Sequence, residues 1–402
     1  MQILWGLFGI FVILGIAVLA SRNRKAINIR TVLGALIIQI GFAFAVLKWE
    51  TGRLVFQKIT AFVQTIIDSS NEGIQFLFGG VLSEDAVIFA FQVLTVVIFF
   101  SSLISVLYYL GVMQFLIKII GGFLSRILKT TRPESMSAAA NIFVGLTEAP
   151  LVIKPYLEKL SKSELFAVMT GGTASVSGSV LVGYSLMGIP LEYLLAACFM
   201  AAPAGLLIAK ILVPETEVKR VEQDIQIEKD TDTINVIDAA AKGASVGLNI
   251  ALQIGAMLLA FISLIALINL GLSWIGGRFG VESLTLETIL GYLFAPLAFV
   301  IGVPWEEAVL AGSFIGQKFV INEFVAYSSF APEISSLSDK TVAVVSFALC
   351  GFANLAAVAI LLGGLGGLAP KRRPDIAQFG LLAVIGGTLA NLLSAAIAGM
   401  LL

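Results

Sequence analysis

The 402-residue sequence contains no histidine, and charged residues make up only 13% of it. Without histidine, Ser-His and Cys-His nucleophilic sites and histidine-ligated metal sites are excluded. The two cysteines, Cys198 and Cys350, lie in apolar stretches, so we interpret them as small core residues rather than as a disulfide or a metal site. The net charge of −1 gives no basic surface that would favour nucleic acid as a partner.

Apolar residues, in contrast, are abundant. They account for 58% of the chain, and the mean hydropathy is +0.99. A soluble globular domain cannot bury that much apolar surface, so the lipid bilayer is expected to act as part of the solvent. The composition therefore predicts an all-α polytopic membrane protein.

Eight stretches have the hydropathy of membrane-spanning helices. They are residues 3–20, 31–47, 87–110, 166–184, 193–213, 246–272, 342–362 and 376–401. Basic residues follow the first stretch rather than precede it, which argues against a cleaved signal peptide. Residues 53–80 mix polar and apolar positions and predict an interfacial helix. Residues 118–132 predict an amphipathic basic stretch on the inner surface.

Two further segments carry a carboxylate inside apolar sequence. Residues 135–165 contain GLTEAP at positions 145–150, and residues 314–330 contain NEFVA at positions 322–326. Ionisable groups in a bilayer usually line a substrate or ion path rather than face lipid. Small residues and a helix-breaking proline fit a re-entrant hairpin, because irregular backbone at membrane depth must be enclosed by protein or line a cavity. The pair suggests a transporter whose site lies between two repeats.

The second half repeats the order of the first. With the amino terminus outside, the basic segments 21–30, 118–162 and 371–373 become cytoplasmic, and the two hairpins open from opposite sides. We therefore expect eight transmembrane helices and two re-entrant hairpins in an inverted repeat.

The expected division has four parts. Residues 1–84 form the first spans and the interfacial helix, and residues 85–213 the third span and the first repeat. Residues 214–290 form a cytoplasmic linker, the sixth span and a connecting scaffold segment. Residues 291–402 form the second repeat.

With GQK at 316–318 and CGFAN at 350–354, these motifs resemble the concentrative nucleoside transporter family, from about residue 85 to the carboxyl terminus. The resemblance implies a homotrimer in the cell membrane that carries nucleosides, with a scaffold and a mobile transport domain in each protomer. The implied substrate positions are Leu146, Thr147, Glu148, Val180, Glu323, Phe352, Asn354 and Ala357. The implied Na⁺ ligands are Asn141, Val144, Ser175 and Val176.

Two positions depart from the commonest family pattern. Leu146 stands where Gln often contacts the nucleobase, and Ala357 stands where Ser often reaches the ribose side. Both changes remove a polar contact. Since family members with an apolar residue at the first position tend toward purines, we expect a preference for purine nucleosides.

Alternatives stay open at this stage. Coupling to H⁺ through a carboxylate competes with coupling to Na⁺, although the oxygens of Asn141 and Ser175 favour Na⁺. An intramembrane enzyme using Glu148 and Glu323, a channel, and a purely structural role for the two acids are further possibilities. Lys318 fits either the site or a solvated hairpin end. The glycine pairs at 363–364 and 366–367 are interpreted as close-packing positions rather than a phosphate cradle.

Overall fold

The computed structural model describes residues 2–82, 88–217, 233–280 and 284–402, which contain helices and no β-strand. Three predictions fall outside these residues. They are the start of the third span at Val87, the boundary between residues 84 and 85, and the part of the linker at 218–232.

The first half contains nine helices among the described residues up to position 217. They are α1 (Gln2–Leu19), α2 (Ile29–Leu47), α3 (Glu50–Phe78), α4 (Phe89–Tyr109), α5 (Val112–Leu128), α6 (Arg132–Ala140), α7 (Lys162–Ala174), α8 (Gly178–Leu186) and α9 (Leu191–Leu212). Short 3-10 helices occupy Arg24–Ala26 and Ala149–Lys159.

The second half contains seven helices among the described residues from position 233 onward. They are α10 (Val236–Arg278), α11 (Leu286–Val300), α12 (Trp305–Val320), α13 (Glu323–Phe330), α14 (Asp339–Leu349), α15 (Ala357–Leu368) and α16 (Arg373–Leu401). Further 3-10 helices occupy Ala331–Ser336 and Pro370–Arg372.

Length and hydropathy identify seven membrane-spanning candidates in the described part of the chain, or eight if the bent pair α11 and α12 counts as one span. The seven correspond to predicted spans one to six and eight. The seventh predicted span, at 342–362, is a broken helix. Here α14 ends at Leu349 and α15 begins at Ala357, because the intervening CGFAN sequence adopts non-helical backbone.

The candidate spans fall into a buried group and an exposed group. In three spans, 83–94% of the residues in the most apolar stretch are buried within the protein, and these spans are Lys162–Leu186, Leu191–Leu212 and Pro370–Leu401. In the other four spans, only 17–28% of those residues are buried. Because the outer helices leave apolar surface uncovered, they are suited to contact lipid. The helices α7, α8, α9 and α16 form the buried core of the protein.

Helix α10 is much longer than the predicted span at 246–272. It covers 43 residues, which corresponds to about 64 Å, about twice the thickness of a bilayer's hydrocarbon core. Hydropathy located only its apolar part. The helix starts at the cap formed by Asn235, whose side chain accepts a hydrogen bond from the backbone N–H of Asp238 at 2.9 Å.

The second hairpin also begins earlier than the predicted residue 314. Helix α12 starts at Trp305, after Pro304, with Glu306 and Glu307 in its first turn, where carboxylates favour a helix start. It is preceded by α11, a helix that the sequence reading did not assign, and the two are bent by 116°. The predicted division between residues 290 and 291 falls inside α11, so the four-part division stays a prediction.

The sequence GGTAS at 171–175 predicts an interruption of the fourth span, and the structure places the break later, after Ala174. Helix α7 continues through Gly171 and Gly172 to Ala174, and α8 starts at Gly178. The break follows from two local caps. The extended residue Ser175 ends α7, and the Ser177 side chain accepts a hydrogen bond from Val180 N at 3.4 Å to begin α8.

The two segments predicted to be amphipathic each bury one face, whereas their placement at the membrane surface stays a prediction. In α5, Met113, Ile117 and Leu124 are buried on one face, while Lys118 and Arg126 are exposed. The segment predicted at 53–80 forms most of α3, which also buries one face only.

The two halves place comparable elements in the same order. A long outer helix, α4 or α10, is followed by α5 or α11 and then by a hairpin whose tip carries a glutamate. A broken helix comes next, α7–α8 or α14–α15, and a buried helix, α9 or α16, ends each half. Helices α4 and α10 pack closely, since a Cβ atom on Gly247 would lie 2.7 Å from Cα of Ile98.

Candidate functional site

The carboxylate of Glu323 lies at the tip of the second hairpin, where α13 begins. The preceding Asn322 caps this helix, because its side chain accepts a hydrogen bond from the backbone N–H of Val325 at 2.9 Å. Glu323 is only 4% exposed. The hairpin therefore holds an ionisable group in the interior, at the positive end of a short helix.

Both halves of the chain donate hydrogen bonds to this carboxylate. The Tyr184 hydroxyl on α8 donates to Oε1 of Glu323 at 3.1 Å, and Nδ2 of Asn354 donates to Oε2 at 3.1 Å. Oδ1 of Asn354 accepts from the backbone N–H of Ala357 at 2.9 Å, which fixes the orientation of the amide. The structure thus brings together three predicted positions, Glu323, Asn354 and Ala357.

Tyr184 is a site residue that the sequence reading missed. Its ring packs against Phe324 and Tyr327, with centroids 4.7 and 4.5 Å away. The Tyr327 hydroxyl donates to the backbone oxygen of Ser346 at 2.8 Å, which anchors the aromatic cluster on α14. A buried tyrosine needs a partner for its hydroxyl, but the sequence does not indicate which acid it meets.

Glu148 has different surroundings at the tip of the first hairpin. It is half-buried, and its Oε2 accepts a hydrogen bond from the backbone N–H of Gly145 at 2.9 Å. A Cβ atom on Gly145 would lie 3.6 Å from this oxygen, 3.6 Å from Cβ of Ser177 and 3.9 Å from the Phe352 ring. Glu148 and Phe352 are therefore neighbours, as predicted site residues should be.

Helix α8 connects the surroundings of the two acids. Ser177 contacts the first hairpin tip, and Tyr184 contacts Glu323. The seven-residue step from Ser177 to Tyr184 corresponds to a rise of about 10 Å along the helix axis. Val180 lies four residues before Tyr184 and therefore on the same face of α8. The predicted position Val180 thus lies along the chain between Ser177, near the first hairpin tip, and Tyr184, which contacts Glu323.

The remaining two residues of the first hairpin tip pack against different helices. Cγ2 of Thr147 lies 2.7 Å from the position that a Cβ atom on Gly364 of α15 would occupy. Cδ1 of Leu146 lies 2.4 Å from the corresponding position on Gly172 of α7. Leu146 is buried and Thr147 is exposed. Gly364 and Gly172 thus allow close packing, which is the role predicted for the 363–364 pair, but Gly363 has no atom within 4 Å of its Cβ position.

The predicted Na⁺ ligands gather where α6 and α7 end. Asn141 caps α6, and Ser175 caps α7. The Ser175 hydroxyl donates to the backbone oxygen of Asn141 at 2.5 Å and lies 3.3 Å from that of Val176. Val144 follows in the turn after α6, where its N–H bonds Ala140 O at 3.0 Å.

Asn141 is the member of this group with an unused acceptor. It is 2% exposed, and its Nδ2 donates to the backbone oxygen of Ser137 at 3.0 Å. Its Oδ1 has no hydrogen-bond partner among the described residues. A buried acceptor without a donor is costly unless a cation or water contacts it. Neutral amide, hydroxyl and carbonyl oxygens at two helix carboxyl ends suit a hard monovalent cation.

The two helix breaks are joined at the centre of the protein by Asn391 of α16. Its Nδ2 donates to the backbone oxygens of Ala174 at 2.6 Å and Cys350 at 2.9 Å. In addition, the backbone N–H of Phe352 donates to the backbone oxygen of Ser175 at 3.1 Å. The break in α7–α8 and the break in α14–α15 therefore support each other directly. The sequence signal that could have identified Asn391 is an asparagine inside an apolar span.

Lys318 belongs to the same network. Its Nζ donates to Oδ1 of Asn391 at 2.6 Å and to the backbone oxygen of Ala348 at 3.0 Å. The residue is 1% exposed, so the interpretation of a solvated hairpin end is wrong. The oxygens at the end of α14 hold the ammonium inside. Cys198 and Cys350 are buried, as predicted for small core residues, and their sulfur atoms lie 3.9 Å apart.

Comparison with known proteins gives a consistent family. Family models described as the N-terminus and the C-terminus of a Na⁺-dependent nucleoside transporter match residues 8–81 and 193–399, and a nucleoside recognition model matches residues 90–190. The uncharacterized transporter YutK of Bacillus subtilis is 58% identical over all of both chains. The nucleoside permease NupC of Helicobacter pylori is 50% identical over 99% of this chain and 97% of its own length.

Solved structures agree with this result. CNTnw in an inward-facing, substrate-bound state is 56% identical, covers 100% of this chain and 98% of its own, and has a TM-score of 0.94. A substituted CNTnw in an outward-facing state is 55% identical, covers 100% and 99%, and has a TM-score of 0.97. The matched families are transporters and not enzymes, so the alternative of an intramembrane enzyme is set aside. This chain belongs to the family of Na⁺-dependent nucleoside transporters.

Proposed function

We propose that this protein imports nucleosides by symport with Na⁺ through alternating access. The observation that carries the proposal is the Glu323 carboxylate, which accepts hydrogen bonds from Tyr184 of the first half and Asn354 of the second. A ligand that replaces these donors contacts both halves at once. Binding is thereby coupled to their relative arrangement, which is what alternating access needs.

The residues at the two hairpin tips suit different ends of a nucleoside. A carboxylate accepts two hydrogen bonds from a vicinal diol, and the neighbouring amide of Asn354 both donates and accepts. Glu323 and Asn354 therefore suit the ribose. Glu148, Thr147 and the Phe352 ring lie at the opposite end of the α8 segment and suit the base, which stacks well on an aromatic ring.

For the coupling ion we propose Na⁺ at Asn141, Val144, Ser175 and Val176. The unpartnered Oδ1 of Asn141 and the carbonyl ends of α6 and α7 support this choice over H⁺, since a proton site needs no such oxygen cage. A bound Na⁺ would supply positive charge that stabilises the turn following α6. This turn leads directly to Glu148, so ion binding orders the base end of the site.

The coupling is energetically sufficient for accumulation. One charge moving through roughly 100 mV gains about 2.3 kcal/mol. A tenfold Na⁺ gradient adds about 1.4 kcal/mol, and together they allow roughly 500-fold accumulation of a neutral solute. CNTnw has been captured in inward-facing and outward-facing states, and we propose the same alternation for this chain.

Purine nucleosides are the preferred substrates in this proposal. Ala357 offers no polar side-chain atom at the ribose end, and Leu146 offers none at the base end, where it packs on Gly172 of α7. A base at this end is then held by contact area, which favours the larger purine ring. We further propose a homotrimer in the cell membrane, with the amino terminus outside and the four-part division predicted from the sequence.

The direct test is uptake of radiolabelled nucleosides into proteoliposomes. A panel of purine and pyrimidine nucleosides is supplied with an inward Na⁺ gradient, and separately with an inward H⁺ gradient in Na⁺-free buffer. We expect accumulation of unchanged nucleoside only with Na⁺, with guanosine or inosine ahead of uridine. Uptake driven by the H⁺ gradient alone would support the alternative ion, and dissipative flux without accumulation would indicate a channel.

A further inference from the structure

A buried positive charge in the second half occupies a position similar to that of the Na⁺ ligands in the first. Lys318 lies in the last turn of α12, and its Nζ bonds the backbone oxygen of Ala348 in the last turn of α14 at 3.0 Å. The ammonium thus lies at the carboxyl end of α14, on a lysine from the last turn of α12. Helix carboxyl ends carry partial negative charge, so a cation is stabilised there.

The first half has the same arrangement without a tethered cation. Asn141 ends α6 and Ser175 ends α7, and the two are joined by a hydrogen bond of 2.5 Å. Here Oδ1 of Asn141 has no partner among the described residues. In the second half, the amide oxygen of Asn391 is occupied by Nζ of Lys318 at 2.6 Å. The amide oxygen is therefore without a partner in the first half and bonded to an ammonium group in the second half.

The comparison is supported by the order of elements and by a shared contact. In each half, the first hairpin arm, α6 or α12, is followed by a broken helix, α7–α8 or α14–α15. Asn391 bonds the carbonyl groups of Ala174 and Cys350, one at each break. The two cation positions therefore lie on either side of one asparagine.

We propose that Lys318 is a tethered cation that takes the place of a second coupling ion, so that the protein carries one Na⁺ per nucleoside. This inference rests on the proposed Na⁺ symport. A buried charge is stable only when it is compensated, and the ammonium donates hydrogen bonds to the backbone oxygen of Ala348 and the amide oxygen of Asn391. Because the lysine is covalently attached, its charge moves with the protein during the transport cycle and is never released.

Three variants and the wild type test the proposal. Lys318→Met removes the charge and keeps most of the volume, and Lys318→Ala also leaves space for a small cation. Lys210→Met is the matched control, because Lys210 is also buried but pairs with Glu134 at 2.6 Å, away from the helix breaks. Each purified protein is checked for assembly by size-exclusion chromatography.

In wild type, the reversal potential of uptake should give one charge per neutral nucleoside, and the Na⁺ dependence a Hill coefficient near one. Lys318→Met should lose at least tenfold in uptake. In Lys318→Ala, millimolar propylammonium should restore part of the uptake and raise the unfolding temperature of the protein without nucleoside present. If a second Na⁺ ion fills the space instead, the Na⁺ Hill coefficient should rise toward two. Lys210→Met should show neither the propylammonium effect nor the change in Hill coefficient.

Two results would overturn the proposal. The first is two charges per nucleoside in wild type, which decides the question even if every Lys318 variant fails to assemble. The second is an assembled Lys318→Met protein with normal uptake and an unchanged Na⁺ dependence. Wild-type uptake that is independent of Na⁺ would instead contradict the proposed symport itself, so the two failures are distinguishable.

Discussion

The glutamates at the two hairpin tips differ in what holds them. Glu148 is half-buried and bonds the backbone of its own hairpin, whereas Glu323 is buried and bonds side chains from α8 and from the 350–356 break. The proposed cation positions also differ between the halves. Oδ1 of Asn141 in the first half has no partner among the described residues, whereas Oδ1 of Asn391 in the second half accepts a hydrogen bond from Lys318. Under the proposed function, the first half would respond to an ion and the second would hold the substrate between elements.

The largest expected effect separates the two acids. Glu323→Gln should reduce uptake by at least tenfold, because an amide cannot accept both bonds of a ribose diol and each charge-assisted bond contributes about 1.5–3 kcal/mol. Glu148→Gln should lose less, since one Glu148 oxygen already bonds Gly145. Uptake is measured in proteoliposomes with protein checked for assembly. Near-normal uptake by assembled Glu323→Gln would remove this residue from the site.

The next effect concerns the ion. Asn141→Ala and Ser175→Ala should each raise the Na⁺ concentration for half-maximal uptake about tenfold, since losing a ligand worth about 1.4 kcal/mol has that result. Ser346→Ala is the control in the second half, because its hydroxyl is buried in α14 and bonds Val342. Its Na⁺ dependence should be unchanged. Equal shifts in all three variants would show that the effect is not specific to the first half.

A smaller effect tests the contact between the first hairpin and the second half. Gly364→Ala places a Cβ atom 2.7 Å from Cγ2 of Thr147, and overpacking of this kind costs about 1–3 kcal/mol. We expect several-fold lower uptake. The adjacent Gly363→Ala meets nothing within 4 Å and should keep normal uptake. If the two alanine variants behave alike, the contact between Thr147 and α15 has no role in transport.

The smallest expected change is in base preference. Leu146→Gln adds an amide that a pyrimidine edge can bond, so uridine uptake should improve a few-fold relative to guanosine, about the effect of one hydrogen bond. Competition between the two nucleosides is measured in wild type and variant. A wild type that already prefers uridine, with a ratio unmoved by the substitution, would show that Leu146 does not select the base.

The sequence predicted those features that depend on local pattern. Seven of the eight spans follow from hydropathy, and the hairpin tips follow from a carboxylate beside helix-breaking residues. Element ends were less predictable, because α10 continues past its apolar part and α11 has no polar anomaly to mark it. Capping side chains such as Asn235 define these ends more reliably than hydropathy does.

The partners of the site residues could not be predicted from pattern alone. Glu323 meets Tyr184, 139 positions earlier in the chain, and Lys318 meets Asn391, 73 positions later. Such pairs depend on how α8, α12 and α16 pack around the two breaks. Charged residues at a hairpin end are usually solvated, and only the packing of α14 and α16 shows that Lys318 is buried.

The most direct test of coupling between the two halves is nucleoside binding to purified protein by isothermal titration calorimetry, without Na⁺ and at saturating Na⁺. If a Na⁺ ion in the first half orders the hairpin that completes the site, Na⁺ should tighten nucleoside binding in wild type. By linkage, saturating nucleoside should tighten Na⁺ binding by the same factor. In Asn141→Ala the factor should fall toward one. A nucleoside affinity in wild type that does not change between the two Na⁺ conditions would contradict the account.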